Sequence, residues 1–310
     1  MSEPNTRFEV GRCEGGKRLD RFLHERIPAL SRNRIQRMIR ERVVLSWGVP
    51  ARPSTSVRPG GVVRIRYTPP LEEPLEITLD VLARGAGWIA VDKPAGIPVH
   101  PVNRVRENSL IRILRRQEGR EGLRLAHRLD GETSGVLLVA EDSPAAKRLG
   151  RAFLDGRVHK EYLALVKGEM EADEGSIDLP IGEARASRIH VKLEAGHGKP
   201  SRTDWRVERR LPGRTLVRLF PRTGRRHQLR VHMAAAGHPI LGDILYGRPE
   251  SDYLGMVRGG GDPRAREDGP ARHLLHCARM TFPGPVSGRM RDVRAPLPAD
   301  FGLTGYSGIP

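Results

Sequence analysis

Residues 127–140 of the chain read HRLDGETSGVLLVA. Two glycines, a threonine and a serine surround Asp130, and an apolar run follows directly, which predicts a turn that leads into a buried strand. Thr133 and Ser134 are expected to hydrogen-bond the backbone of this turn, so that Asp130 stands on a rigid loop anchored by the strand. Such a loop would hold a reactive carboxylate in place. The alternative is a structural turn in which Asp130 pairs with Arg128.

The chain is strongly basic. In 310 residues, 54 Lys and Arg stand against 37 Asp and Glu, which gives a net charge of +17 and a pI near 10.9. The excess is concentrated at the start, where residues 1–68 hold 15 basic and 6 acidic side chains. Such a surplus favours a polyanionic partner. Nucleic acid fits better than a membrane surface, because no amphipathic stretch rich in Lys and Trp is present.

The cysteines and the apolar runs indicate where the protein works. Cys13 and Cys277 are isolated, so they suggest neither a disulfide framework nor a zinc site, and they suit a reducing cytoplasm. The first ten residues lack the pattern of a signal peptide, and apolar runs of about five residues are too short to span a bilayer. We therefore expect a cytoplasmic protein without a membrane partner, and a monomer as its simplest state.

Residues 1–67 have the pattern of a small domain with two helices and a short sheet. Apolar residues recur with helical spacing in KRLDRFLHERI and again in SRNRIQRMIRERV, where Ser31 is a candidate N-cap. The second of these helices carries arginines opposite its apolar face. In the strand segment VRPGGVVRIRY, the predicted inward residues are Val62, Ile65 and Tyr67.

Residues 79–310 are predicted to form one larger domain, joined by a Pro- and Glu-rich linker at 68–78. Strands often follow strands, as in the expected hairpin WRVERR-LPG-RTLVRLF, which favours an α+β fold over a doubly wound sheet. SPAAKRLGRAFLDG predicts a helix with Ser143 as its N-cap, and RRHQLRVHMAAAG a helix that ends at Gly237. Segment 248–273 shows no periodicity and is predicted to be a loop insertion.

The stretch that begins at His127 resembles the signature of the RluA family of RNA pseudouridine synthases. In that signature HRLD is followed two residues later by TSG and by an apolar run that ends in Ala. Three further segments are similar to family motifs in the family's order: VDKPAGIPVHP at 91–101, VHKEYLALVKG at 158–168 and PRTGRRHQLRVHMAAAGHPILGDILYG at 221–247. The resemblance implies a mixed, mainly antiparallel sheet with flanking helices around a central cleft. It also implies isomerisation of uridine to pseudouridine in RNA, with no cofactor and no metal.

The resemblance implies roles for individual residues. Asp130 would act on the sugar or the base while the N-glycosidic bond is broken and the base is rejoined through carbon. Arg230 would pair with Asp130 and keep it ionised. Tyr162 would lie against the target base, either to move a proton or to stack. The other implied substrate-binding residues are Arg128, which would fill the place of the flipped uridine, His127, which would order the loop, Leu229, an apolar wall for the uracil, and Thr133.

Residues 17–67 resemble the S4 RNA-binding domain. They depart from it where Trp47-Gly48 replaces the usual Asn-Gly turn, and where Gly60-Gly61 replaces the usual Gly-Asp after the proline. Family members with such a domain mostly modify large-subunit ribosomal RNA, so we expect ribosomal RNA rather than transfer RNA as the substrate. The arginines expected to contact phosphates are Arg32, Arg34, Arg37 and Arg40.

Two other functions compete with this one. A non-catalytic RNA-binding or ribosome-assembly factor on the same fold would be expected to have lost Asp130, Tyr162 or Arg230, and all three are present. A metal-dependent nuclease would need clustered acidic or His ligands. The histidines form no recognisable ligand set, and His227 and His232 lack the spacing of a zinc protease helix.

Overall fold

The chain divides into two compact units, residues 1–71 and residues 72–310. The division falls within the segment predicted as a linker, and from residue 72 onward the Glu72 carboxylate accepts three backbone N–H groups of the second unit. Of residues 256–258 only the backbone is described. The computed structural model describes residues 6–27, 30–66, 72–102, 105–258 and 269–303.

The first unit is a short antiparallel sheet with two helices. Its elements are β1 (Thr6–Glu9), α1 (Leu19–Arg26), α2 (Arg32–Arg42), β2 (Val43–Leu45) and β3 (Val62–Ile65). The strands pair in the order β1-β3-β2. The predicted helix faces are confirmed, because Leu19 and Phe22 of α1 lie in one buried core with Ile35 and Ile39 of α2. Ser31 occupies the N-cap position of α2, without a side-chain hydrogen bond to the helix.

One expectation for this sheet was wrong, and one strand was not predicted. Val63 and Ile65 are buried in β3, whereas Val62 is only half-buried, because side chains two residues apart share a face of a strand. Tyr67 lies outside the described residues. Strand β1 was not predicted, since TRFE has no alternation of apolar and polar residues and is fixed by pairing with β3.

The second unit contains a large mixed sheet with helices packed against it. Its strands are β4 (Val81–Gly85), β5 (Trp88–Lys93), β6 (Arg124–Leu125), β7 (Ser134–Ala140), β8 (His159–Lys167), β9 (Glu174–Asp178), β10 (Ile181–Glu183), β11 (Leu193–Ala195), β12 (Arg202–Leu211), β13 (Arg214–Pro221), β14 (Leu275–Pro283) and β15 (Met290–Arg294). Its helices are α3 (Leu110–Glu118), α4 (Ser143–Leu154), α5 (Gln228–Ala235) and α6 (Glu250–Arg258).

The large sheet has the order β4-β5-β7-β14-β8-β13-β12-β9, with β15 on β14 and β6 on β7. Strand β14 pairs with β7 in parallel, and the other pairings of this sheet among the described residues are antiparallel. Strands β10 and β11 form a separate antiparallel pair. The predicted α+β class and the β12–β13 hairpin are therefore confirmed.

Two helix predictions need correction. The N-cap of α4 is Asp142, whose carboxylate accepts the N–H of Ala145 at 2.7 Å, while Ser143 is the first helical residue. The segment 248–273 is not irregular throughout, because nine of its residues form α6. This helix has acidic side chains in its first turn, and Glu250 pairs with Lys192 at 3.0 Å. Residues 259–268 lie outside the described part of the chain.

The sheet order brings distant parts of the sequence together. Strand β14 lies between β7, which follows the loop of Asp130, and β8, which carries Tyr162. Ser134 is paired in register with His276, and Tyr162 with Cys277. Strand β13, the next neighbour of β8, leads into α5. The loop before β7, the middle of β8 and the start of α5 therefore meet around one cleft.

Candidate active site

The loop of Asp130 is held by buried polar groups of the core. Thr133 donates its N–H to the carbonyl of Asp130 at 3.1 Å, which closes a tight turn. Lys93, with 0% of its surface exposed, donates to the carbonyls of Pro94, Gly131 and Thr133 at 2.9, 2.7 and 2.8 Å. Burial lowers the pKa of Lys93 to about 7, and the loop thus rests on a buried amino group whose hydrogen bonds all go to backbone carbonyls.

The side chains after the turn face the core rather than the turn. Thr133 Oγ1 lies 2.8 Å from His273 Nε2, and Ser134 Oγ lies 3.0 Å from His276 Nδ1. The expectation that these hydroxyls would bond the backbone of the turn was wrong. They instead fix the end of the loop to β14 and to the residues just before it, and Thr133 lines the cleft.

One of the two glycines serves a contact that the sequence pattern did not suggest. Gly135 has φ +104° and lies in β7, where an added Cβ would come within 2.2 Å of the carbonyl oxygen of Cys277. Only glycine permits β14 to approach β7 so closely. Gly131 has no left-handed φ, and an added Cβ there would meet nothing within 4 Å.

Asp130 is part of a buried charge network. Arg230, on α5, donates from Nη1 to Asp130 Oδ2 at 3.0 Å. The same guanidinium binds Asp243 with two hydrogen bonds, from Nε at 2.6 Å and from Nη2 at 2.9 Å. Asp243 also accepts the N–H groups of Leu245 and Tyr246. Asp243 therefore fixes the arginine, and the arginine fixes the catalytic candidate.

Electrostatics keep Asp130 ionised. Burial alone would raise its pKa, but the positive charges of His227 and Arg230 outweigh burial and lower the pKa below its usual value. Burial holds the pKa of His227 to about 4, so Arg230 is the cation present at neutral pH. Although burial opposes its charge, Arg230 has a raised pKa because both carboxylates stabilise the guanidinium. Asp130 is thus a carboxylate at pH 7.

Tyr162 lies in the wall of the same cleft. The cleft has a volume of about 850 Å³, and Asp130, Tyr162, Leu229 and Arg230 all line it. Tyr162 is 8% exposed, and burial together with the neighbouring Cys277 thiol raises its pKa well above the usual range. Its hydroxyl therefore keeps its proton at neutral pH. Leu229 is 6% exposed and gives this region an apolar surface.

Arg128 and His127 line the cleft in different ways. Arg128 is exposed and forms no hydrogen bond or ion pair with any other described residue. His127 accepts the N–H of Leu138 at 3.0 Å and stacks on Phe153 at a ring separation of 5.0 Å. Burial lowers the pKa of His127 to about 3, so the ring is a neutral acceptor that ties the loop to β7.

The sequence did not single out several residues that support the site. Gln228 accepts hydrogen bonds from Thr223 and from the N–H of Arg225, and it donates to the carbonyl of Arg202, which anchors the start of α5. Like Gln228, Lys93 and Asp243 stand inside segments already similar to family motifs. Their presence there was the available signal, but their burial was not readable from the pattern.

The arginines predicted to contact RNA belong to the first unit, whereas the residues that line the cleft belong to the second. They are exposed on α2 and pair with no other described residue: Arg32, Arg34, Arg37 and Arg40. In the described part of the chain, no group of three or more His, Cys, Asp or Glu side chains could hold a metal ion. Among the same residues, no helix is long and apolar enough to cross a membrane.

Comparison with known proteins gives the family. Residues 87–235 match the model of the RNA pseudouridylate synthase family. The chain is 35% identical to an uncharacterised RNA pseudouridine synthase of Chloroflexus aurantiacus, over 92% of this chain and 88% of the relative. It is 32% identical to the ribosomal large subunit pseudouridine synthase C of Haemophilus ducreyi, over 94% and 91%.

A solved structure agrees with these sequence relatives. Human RNA pseudouridylate synthase domain containing 1 superposes with a TM-score of 0.59 at 30% identity, over 73% of this chain and 86% of the human chain. The chain belongs to the RNA pseudouridylate synthase family. It is therefore an isomerase that acts on uridine in RNA, as the resemblance of its motifs implied.

Proposed function

We propose that this protein forms pseudouridine in the RNA of the large ribosomal subunit and that Asp130 is its catalytic carboxylate. The observation that carries the proposal is the ion pair in the cleft. The Arg230 side chain is 6% exposed and binds Asp130 at 3.0 Å, while 28% of the Asp130 side chain stays open to the cleft. An ionised carboxylate held still beside an open space is what cleavage of a glycosidic bond requires. The ribosomal substrate follows the name of the Haemophilus relative.

The reaction is an isomerisation and needs no co-reactant. The bond between C1′ of the ribose and N1 of the uracil breaks, and its electron pair goes to the base. The sugar carbon becomes electron-poor, and the Asp130 carboxylate stabilises or traps it. The base turns, C5 bonds to C1′, C5 loses its hydrogen and N1 gains one. No atom is gained or lost overall, and no metal or cofactor is required.

Tyr162 and Leu229 would hold the base during this turn. The Tyr162 phenol keeps its proton, because burial raises its pKa, so it serves as a stacking surface or hydrogen-bond donor rather than as a base at neutral pH. Leu229 supplies the apolar wall on the α5 side. Both residues exclude water from the cleaved intermediate.

The loop residues would make room for the uridine. A uridine in folded RNA must leave its stack, at a cost of a few kcal/mol. Arg128 is exposed at the cleft and has no partner among the described residues, which suits a planar side chain that enters the vacated position. His127 would order the loop, and Thr133 would hold the turn beside the substrate.

The first unit would add contacts to the RNA backbone. We infer that it is an S4-like domain. The support is a pair of helices on a short sheet, with four exposed α2 arginines that have no partner among the described residues: Arg32, Arg34, Arg37 and Arg40. Binding through these arginines would be sensitive to salt and indifferent to sequence. The proposal also includes that the protein acts as a monomer in the cytoplasm. Its proposed substrate is ribosomal RNA, and transfer RNA is the alternative substrate.

The role of Asp130 is tested with Asp130→Asn. The amide has the same shape but cannot stabilise the sugar cation, so turnover of the target RNA should fall about a thousandfold. RNA affinity should stay near that of the wild type, since the phosphate contacts are elsewhere. Asp178→Asn, an exposed carboxylate on β9, is the control and should leave turnover unchanged. Turnover of Asp130→Asn within tenfold of the wild type would refute the assignment.

A further inference from the structure

His227 has an unusual backbone conformation. It is the one non-glycine residue with a positive φ in the described part of the chain, with φ 55° and ψ 15°. Left-handed backbone costs an L-residue about 1 kcal/mol or more, and such strain gathers at functional sites. His227 stands at the N-cap of α5 but makes no cap hydrogen bond with its side chain. The conformation instead directs the ring toward the cleft, which His227 lines.

We assign the tautomer of the ring from its contacts. His227 Nδ1 lies 2.8 Å from the hydroxyl of Tyr246. That hydroxyl accepts the N–H of Leu193 at 3.2 Å, and burial raises its pKa to about 12, so it has one proton to give. The Tyr246 hydroxyl therefore donates its hydrogen bond to His227 Nδ1, which is the acceptor that the described residues provide for it. Since burial lowers the pKa of His227 to about 4, the neutral ring carries its own proton on Nε2.

The Nε2 proton faces the catalytic carboxylate without bonding to it. Nε2 lies 3.9 Å from Asp130 Oδ2, which is beyond hydrogen-bond distance. Asp130 Oδ2 instead accepts from Arg230. Among the described residues Nε2 has no hydrogen-bond acceptor. The side chain is 12% exposed, so a neutral donor with fixed direction stands at the cleft next to the reacting carboxylate.

We propose that the Nε2–H of His227 donates a hydrogen bond to the 2-carbonyl oxygen of the target uracil. The inference rests on the proposed function, because it takes Asp130 to lie beside the bond between C1′ and N1. The 2-carbonyl is the base acceptor nearest to that bond, one carbon away from N1. When the bond breaks, the base takes the electron pair, and the negative charge spreads over N1 and its carbonyl oxygens. A donor fixed in advance stabilises this charge as it develops.

A neutral donor suits this position better than a cation. A positive charge at His227 would form an ion pair with Asp130 and draw the carboxylate away from the sugar. The neutral ring leaves Asp130 to Arg230, and it stabilises the base without giving up its proton. Tyr246 thus orients the His227 ring, and the ring binds the substrate without transferring a proton. The bonds that form and break are those of the isomerisation alone.

The test replaces both the donor and its acceptor. The RNA is a large-subunit ribosomal RNA fragment that carries uridine, 2-thiouridine or 4-thiouridine at the target position. Sulfur is a weaker hydrogen-bond acceptor than oxygen. The enzymes are the wild type, His227→Asn and His227→Gln. Asparagine tolerates the left-handed backbone but does not reach the position of Nε2, whereas the glutamine amide does. Single-turnover rates and RNA affinities are measured for each pair, with His190→Asn, an exposed histidine, as the control.

The expected result is a coupling between residue 227 and the 2-position. With uridine, His227→Asn should be slowed about fiftyfold with affinity within about twofold, and His227→Gln should recover part of the rate. The 2-thio substitution should slow the wild type but add little to the loss in His227→Asn, while the 4-thio substitution should affect both enzymes equally.

Other outcomes overturn the inference. If His227→Asn stays within twofold of the wild type, or if 2-thiouridine slows it as much as the wild type, His227 does not bind this oxygen. Wild-type conversion of uridine would in that case leave the proposed function intact. If the wild type converts no uridine, the proposed function fails, and the inference fails with it.

Discussion

Arginines are used in opposite ways in the two units of the chain. Arg230 is buried, and its hydrogen bonds to Asp130 and Asp243 are fixed by geometry. Arg32, Arg34, Arg37 and Arg40 of α2 are exposed and have no partner among the described residues. Burial of a paired guanidinium carries a desolvation penalty, but it fixes the geometry of the ion pair and lowers the pKa of the carboxylate. An exposed guanidinium without a partner attracts a polyanion over a long range, and salt screens this attraction. Under the proposed function, the same residue type would serve chemistry in one unit and capture of RNA in the other.

Asp243→Asn should have the largest effect, because it removes the buried ion pair between Asp243 and Arg230. The change removes a charge that is buried with Arg230 and should destabilise the protein by about 3 kcal/mol. Turnover should fall as well, because Arg230 loses the partner that orients it. Urea unfolding and single-turnover rates measure the two effects. Asp300→Asn is the matched control, since Asp300 also binds an arginine with two hydrogen bonds but is 47% exposed. An equal loss in both variants would contradict the account.

The same pair gives a pH dependence. Burial would raise the pKa of Asp243, but Arg230 outweighs it and lowers the pKa from 3.8 to about 2 in the folded protein. The unfolded state therefore binds more protons in this range, and stability from this pair falls as the pH falls. The stability gap between the wild type and Asp243→Asn should be full at about pH 6 and should narrow toward about pH 3. A gap that stays constant across this range would show that the charge is not its source.

Lys93→Met tests the support beneath the loop of Asp130. Methionine keeps the length of the side chain but leaves the carbonyls of Gly131 and Thr133 without their donor. The loss should be about 2 kcal/mol in unfolding free energy and about tenfold or more in turnover. Lys167→Met, an exposed lysine of β8, should change neither. A stable Lys93→Met protein with wild-type turnover would mean that the loop keeps its geometry without the amino group.

The smallest effect is expected from the exposed arginines. Replacing Arg32, Arg34, Arg37 and Arg40 together by Gln should weaken RNA binding about tenfold at moderate salt and leave turnover of saturated enzyme unchanged. The slope of log affinity against log salt should become shallower by about 0.8 for each arginine that contacts a phosphate. The matched control changes four arginines that are ion-paired in the second unit. It uses Arg84, Arg112, Arg116 and Arg120.

An unchanged salt slope in the α2 variant would place the RNA contacts elsewhere. The same shift in the control would show that net charge, rather than the face of α2, governs binding.

Local patterns in the sequence predicted what local physics decides. Helical spacing placed the buried faces of α1 and α2, and the motif around Asp130 predicted the turn and the buried strand. Local patterns did not predict contacts between distant segments, and the contact of Arg230 with Asp130 was expected only from the family resemblance. The close approach of β14 at Gly135 and the burial of Lys93 depend on strand order, and the contact of Asp243 with Arg230 depends on how the segment after α5 folds back; no local pattern encodes either. The left-handed backbone of His227 belongs to the same class, since Tyr246 holds its ring from another segment.

The most direct test of the central claim is a map of pseudouridine across total RNA in three strains. The strains lack the gene, carry the wild-type gene, or carry Asp130→Ala. We expect at least one site in large-subunit ribosomal RNA to vanish on deletion, to return with the wild type and to stay absent with Asp130→Ala. If no site changes, the cleft does not make pseudouridine in these cells, and a non-catalytic role in RNA binding or ribosome assembly becomes the better account.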